Sequence, residues 1–270
     1  MTLNILILGI CAGLYMAWNI GANDVANGMA SAVGAKAITL RQAVYIAGIL
    51  DFVGAAFIGS HVTSAIRKNI VDPSVLSDPT TVSLGLLAAL LAASFWVFFA
   101  TWRQLPVSTT HSVVGAMIGF GLITGGMSVI KWSKVMLIVL SWIISPFFAS
   151  LLAFLMFRFI RNRILSRPDM FVKALRWSPF FVGLTFFIIV LSFLLKTPLG
   201  KKLGIDLGTG VLMSLGISVL LGAIGQRIIQ RTIFRRGEDG VEEIFRRLQV
   251  LTSCYVALAH GANDVANAMG

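Results

Sequence analysis

Residues 135–157 read VMLIVLSWIISPFFASLLAFLMF, an apolar run without one charged side chain. Similar runs fill 84–100, 179–195 and 207–224. In hydrocarbon every backbone N–H and C=O must be bonded within its own segment, so runs of this length predict bilayer-spanning helices. The composition agrees. Charged residues make up 12% of the chain and hydrophobic ones 57%, whereas a soluble domain carries about 25% charge. The expected fold is all-α, a polytopic membrane protein.

The net charge of +11 does not point to nucleic acid, because the basic residues fall between the apolar blocks. Segment 158–176 holds Arg158, Arg161, Arg163, Arg167, Lys173 and Arg176, and segment 227–247 holds six more, diluted by Glu238, Asp239, Glu242 and Glu243. Such loops set orientation, and both are expected on the cytoplasmic side of the cell membrane. Cys11 and Cys254 lie within apolar segments and imply no disulfide framework. The apolar N-terminus lacks a basic start and reads as a span, not a cleaved signal.

Residues 14–30, LYMAWNIGANDVANGMA, return as CYVALAHGANDVANAMG at 254–270, with ten of the seventeen positions identical and GANDVAN unbroken in both. The expected spans are 3–34, 43–65, 135–157, 179–195 and 207–224. Residues 82–126 are expected to form a re-entrant helical hairpin, its polar tip QLPVSTTH at 104–111 interrupted by Pro106. Five spans then precede the second heptad, and two full crossings by the hairpin arms would not alter the parity. The two heptads therefore run antiparallel, which places the N-terminus outside. Inverted repeats whose sites are built by broken helices characterise secondary transporters. The expected organisation is a first repeat over 1–157, connecting spans and basic segments over 158–248, and the start of a second inverted repeat over 249–270. A complete second repeat would carry its own hairpin, so the chain is expected to be a truncated product or fragment, short by roughly a hundred residues or more.

Each GANDVAN sets an acid and two amides in an apolar span: Asn23, Asp24 and Asn27, then Asn263, Asp264 and Asn267. A carboxylate at the bilayer centre costs about 2.5–3.5 kcal/mol on insertion scales and needs a partner. Gly21 would let the helix unwind, with Asn23 or Asp24 capping the half that follows. The carboxylate, amide oxygens and freed carbonyls are hard ligands suited to a cation such as sodium. The plainer alternative is that these side chains tie helices together.

Ser108, Thr109 and Thr110 offer three hydroxyls where a helix begins. Free N–H groups and the positive dipole end, worth roughly half an elementary charge, favour a tetrahedral oxyanion there. Gln104 can add an amide donor, and a simple Ser/Thr cap is the alternative. Asp51 is a third intramembrane acid, read as a candidate for the cation pathway, with pairing to a neighbouring polar group as the alternative. Gly48, Gly54 and Gly59 beside it are read as packing contacts. His61, His111 and His260 are read as orienting hydrogen-bonders, with a proton shuttle as the alternative role. The stretch 238–250, with Glu242–Arg246 and Glu243–Arg247 at i,i+4, reads as an interfacial amphipathic helix or a solvated connector.

A cavity holding Asp24, Asp264 and Asp51 would repel an anion unless cations bound with it. An inside-negative potential opposes anion entry by about 2.3 kcal/mol per charge per 100 mV. Uptake of an oxyanion therefore calls for co-transported positive charge.

The doubled GANDVAN, PVSTTH at 106–111 and GSHVTSAIRKNIVD at 59–72 closely resemble the inorganic phosphate transporter (PiT) family along essentially the whole chain. The resemblance implies an inverted-repeat symporter, often a homodimer, that moves inorganic phosphate with sodium or protons by alternating access. It implies cation ligation around Asn23, Asp24, Asn263 and Asp264, and phosphate contacts from Gln104, Ser108, Thr109 and Thr110. The family's second-span acid is often Glu, and here it is Asp51. Sulfate or another tetrahedral oxyanion is the near alternative, and a non-transporting membrane component the distant one. No nucleophile–base pairing suggests an enzyme, and no cofactor is expected beyond the transported ions.

Overall fold

The computed structural model of the chain describes residues 3–59, 79–196, 200, 203–233 and 239–269. His61 and most of segment 59–72 lie outside them. The described elements are α1 (Leu3–Gly34), α2 (Leu40–Ile58), α3 (Pro79–Trp102), α4 (Thr109–Gly125), α5 (Trp132–Ile160), α6 (Met170–Lys196), α7 (Leu207–Ile233) and α8 (Asp239–Met269). A 3₁₀ turn, Met127–Val129, leads into α5, and a π turn, Arg161–Leu165, follows it. Among the described residues six helices are long and apolar enough to cross a membrane, α1, α2, α3, α5, α6 and α7.

The expected breaks within GANDVAN are absent. Both α1 and α8 run unbroken through the heptad, and Gly21 does not adopt a positive φ. The reason is that Asn23 spends its hydrogen bonds on another segment instead of capping its own helix. The interruption lies in the hairpin, where residues 103–108 separate α3 from α4.

The chain divides into two compact units. The first comprises 1–30, 44–140 and 256–270. Its apolar centre joins Met16 and Ile20 of α1, Ala93 and Val97 of α3, and Ala268 of α8. Within this unit α2 and α8 meet backbone to backbone: a Cβ on Gly54 would strike the Leu258 carbonyl, and one on Gly261 would strike the Asp51 carbonyl. Small residues permit such close approach between membrane helices. Gly59 likewise faces Val265, whereas Gly48 faces open space and is not a packing contact.

The second unit comprises 31–43 and 141–255. Its core gathers Ile164, Leu175, Phe181, Val182 and Ile229 with Val241, Ile244 and Leu248 of α8. The stretch read as an interfacial helix is thus the opening of α8, and its apolar face packs on protein. Its outer face carries the expected pairs, Arg246–Glu242 at 2.7 Å and Arg247–Glu243 at 2.9 Å. These are i,i+4 surface pairs, worth a few tenths of a kcal/mol each, about 0.3–0.5.

Candidate functional site

The site belongs to the first unit and is organised around the hairpin tip. Gln104 turns the chain with φ 59. Ser108 then caps α4 in an extended conformation, its hydroxyl accepting from the His111 N–H at 3.3 Å. A segment unwound inside a membrane protein must find partners for its backbone. Asn23 supplies them: its Nδ2 donates to Thr101 Oγ1 at 2.8 Å and to the Leu105 carbonyl at 3.3 Å, while its Oδ1 accepts from the Val107 N–H at 3.3 Å.

The second heptad holds the other side of the tip. Asn267, 3% exposed, directs Nδ2 at Thr109 Oγ1 (3.3 Å), Thr110 Oγ1 (3.1 Å) and Asp264 Oδ1 (2.5 Å). Thr109 also donates to Asp264 Oδ1 at 3.3 Å. Two amide hydrogens cannot serve three acceptors at once, so these groups share one compact network.

Beside the tip lies a cavity of about 560 Å³, lined by residues 106–110 and by Asp24, Asn27, Asp51, His260 and Asp264. His260 is its hub. Its Nδ1 lies 3.1 Å from Asp51 Oδ1, and its Nε2 lies 3.2 Å from Asp264 Oδ2 and 3.6 Å from Asp24 Oδ2. The four side chains are 15–20% exposed. Three carboxyl groups converge on one imidazole, so this wall of the cavity is rich in hard oxygen ligands. The tip presents the opposite character, hydroxyls at the start of α4, the positive end of its dipole. One cavity can therefore take cations on its acidic wall and an anion on its hydroxyl wall.

The anticipated residues divide sharply. Asp24, Asn27, Asp51, Ser108, Thr109, Thr110 and Asp264 line the cavity. Gln104 does not; it is exposed at the turn. Asn23 and Asn267 are buried and engaged with the hairpin, so the reading of helix-tying amides applies to this pair. Asn263 is exposed and lines no part of the cavity. His111 lines a separate cavity of about 630 Å³ between α3 and α4. Sequence reasoning misses the central place of His260. Its signal is a mismatch between the repeats: the first copy has Ile20 before GANDVAN, buried in the apolar centre, where the second has His260.

Apolar spans around a polar cavity of acids, imidazole and hydroxyls define a multi-pass membrane protein. Residues 20–270 match the family model described as PHO4, Phosphate transporter family, and the chain belongs to that family of transporters, not enzymes. It is 48% identical to "Putative phosphate permease PH0640" of Pyrococcus horikoshii, over 98% of this chain and 65% of the relative. It is 36% identical to "Inorganic phosphate transporter 2-1, chloroplastic" of Arabidopsis thaliana, over 96% of this chain and 48% of the relative. A solved structure, "The sodium-dependent phosphate transporter", superimposes with a TM-score of 0.90 at 42% identity, covering 98% of this chain and 66% of that one. The chain thus spans about 65% of the length of the archaeal relative.

Proposed function

We propose that the chain binds inorganic phosphate together with sodium in the cavity beside the hairpin tip, and carries them as a symporter by alternating access. The observation that carries this reading is the juxtaposition of Thr109 with Asp264 at 3.3 Å, which sets the start of α4 against the acidic wall. Phosphate would take hydrogen bonds from Ser108, Thr109 and Thr110, at the positive end of the α4 dipole. Sodium would bind at Asp24 and Asp264 with Asn27, and Asp51 would complete the acidic path. Neutralising those carboxylates removes the repulsion that phosphate would otherwise meet, which makes the binding of the two ions mutually dependent.

The choice of sodium draws support from the likeness to a sodium-dependent phosphate transporter of solved structure. The two heptads are read as inversely oriented, with the N-terminus outside and α3–α4 as a re-entrant hairpin. The repeat division is read as 1–157, 158–248 and 249–270, in a homodimer. The test is uptake of labelled phosphate into liposomes holding the purified chain. Accumulation under a sodium gradient, lost in choline and resistant to excess sulfate, is the expected result. Sodium-independent uptake would replace sodium by protons, and equal competition by sulfate would widen the substrate to tetrahedral oxyanions.

A further inference from the structure

Helix α5 is the least covered of the six spanning helices: 6% of its most apolar stretch is buried, against 17–22% in the other five. Phe147, Leu151 and Phe154 stand out from it on one face, all exposed. Arg158 and Arg161, also exposed, continue the same row in steps of four and three residues. The row therefore passes from apolar side chains to guanidiniums at the end of the span.

The arginines at that end are held in place. In the π turn after α5, Arg161 Nε donates to Asn162 Oδ1 at 3.4 Å. Arg167 Nε donates to the backbone carbonyl of the same asparagine at 3.2 Å. Each guanidinium spends its inner nitrogen on Asn162, which leaves its two terminal nitrogens for a ligand. No acid of the segment competes for them. Asp169 is the only one between 158 and 176, and it lies 3.6 Å from Lys173. Two guanidiniums fixed on one residue, with no carboxylate between them, suit a phosphate group that accepts paired N–H bonds.

We propose that α5 and the turn after it bind an anionic phospholipid. Its apolar chains lie along Phe147, Leu151 and Phe154, and its phosphate is held by Arg161 and Arg167 with Arg158 beside them. Charge favours a lipid over a second copy of this chain, because a two-fold pairing of this face about the membrane normal would set the arginines against their own counterparts. The segment is read as cytoplasmic, the side on which anionic lipids give the membrane its negative surface potential. The inference goes beyond the transport reading and does not rest on it.

The test is native mass spectrometry of the purified chain in detergent, with phosphatidylglycerol and phosphatidylcholine of the same chain length. The expected result is preferential retention of phosphatidylglycerol, weakened roughly fivefold by each of Arg161→Gln and Arg167→Gln. Arg161→Lys with Arg167→Lys, which keeps the charge and removes the fork, should also lose most of the preference. Equal retention of the two lipids, or a preference unchanged in the double glutamine or the double lysine variant, would overturn the proposal. Displacement of the lipid by inorganic phosphate would overturn it too, by marking a site for a soluble anion. So would a change of oligomeric state in the double glutamine variant with lipid preference intact, which would mark an interface between copies. Should the variants fail to fold, phosphatidylglycerol carrying a photoreactive headgroup decides on the wild type. Label within residues 158–167 supports the site, and label only elsewhere overturns it.

Discussion

The side-chain amide of Asn267 lies 3.1 Å from Thr110 Oγ1, so the second heptad grips the hairpin tip that follows the first across 157 residues of chain. Asn23 grips the same tip from the other side through Leu105 and Val107. The tip is thus held by the first asparagine of one heptad and the last asparagine of the other. Their repeat counterparts, Asn263 and Asn27, are exposed.

That asymmetry makes a test of four alanine variants. Asn23→Ala and Asn267→Ala each strand buried hairpin groups and should cost about 1–3 kcal/mol. Asn27→Ala and Asn263→Ala should stay within about 0.5 kcal/mol. Unfolding in detergent measures all four, and equal losses across them would show that the heptads are used alike.

The glycines that open the heptads should also respond oppositely. Gly261 abuts the Asp51 carbonyl, so Gly261→Ala should force α2 and α8 apart and cost about 1–3 kcal/mol. Gly21 has open space around it, and Gly21→Ala should be neutral or stabilise α1 by up to about 1 kcal/mol. Loss of stability in Gly21→Ala would revive a local unwinding of α1.

The spans were legible because long apolar runs have one solution in a bilayer. The hairpin was legible because Pro106 and the Ser-Thr-Thr cluster interrupt such a run. The continuity of α1 and α8 was not. A Gly-Ala-Asn-Asp stretch carries the same local signals whether its amide caps its own helix or serves a neighbour, and only the position of Leu105 and Val107 decides. Identical letters likewise hid the difference between buried Asn23 and exposed Asn263. His260 was undervalued for the same reason: its three acids come from α1, α2 and α8, and spacing along the chain does not bring them together.

Two substitutions separate the walls of the cavity. Asp24→Asn should abolish the sodium dependence of uptake while the protein still reaches the membrane, and retained dependence would remove Asp24 from the cation site. Thr109→Val with Thr110→Val should weaken phosphate binding by at least tenfold, since each hydroxyl bonded to an anion contributes about 1.5–3 kcal/mol. Unchanged affinity would take the tip out of the site.

The most direct measurement is phosphate binding to the purified chain by calorimetry, with and without sodium. The account predicts that sodium strengthens phosphate binding, that phosphate strengthens sodium binding by the same factor, and that Asp24→Asn erases both effects. Phosphate affinity indifferent to sodium in the wild type would contradict it.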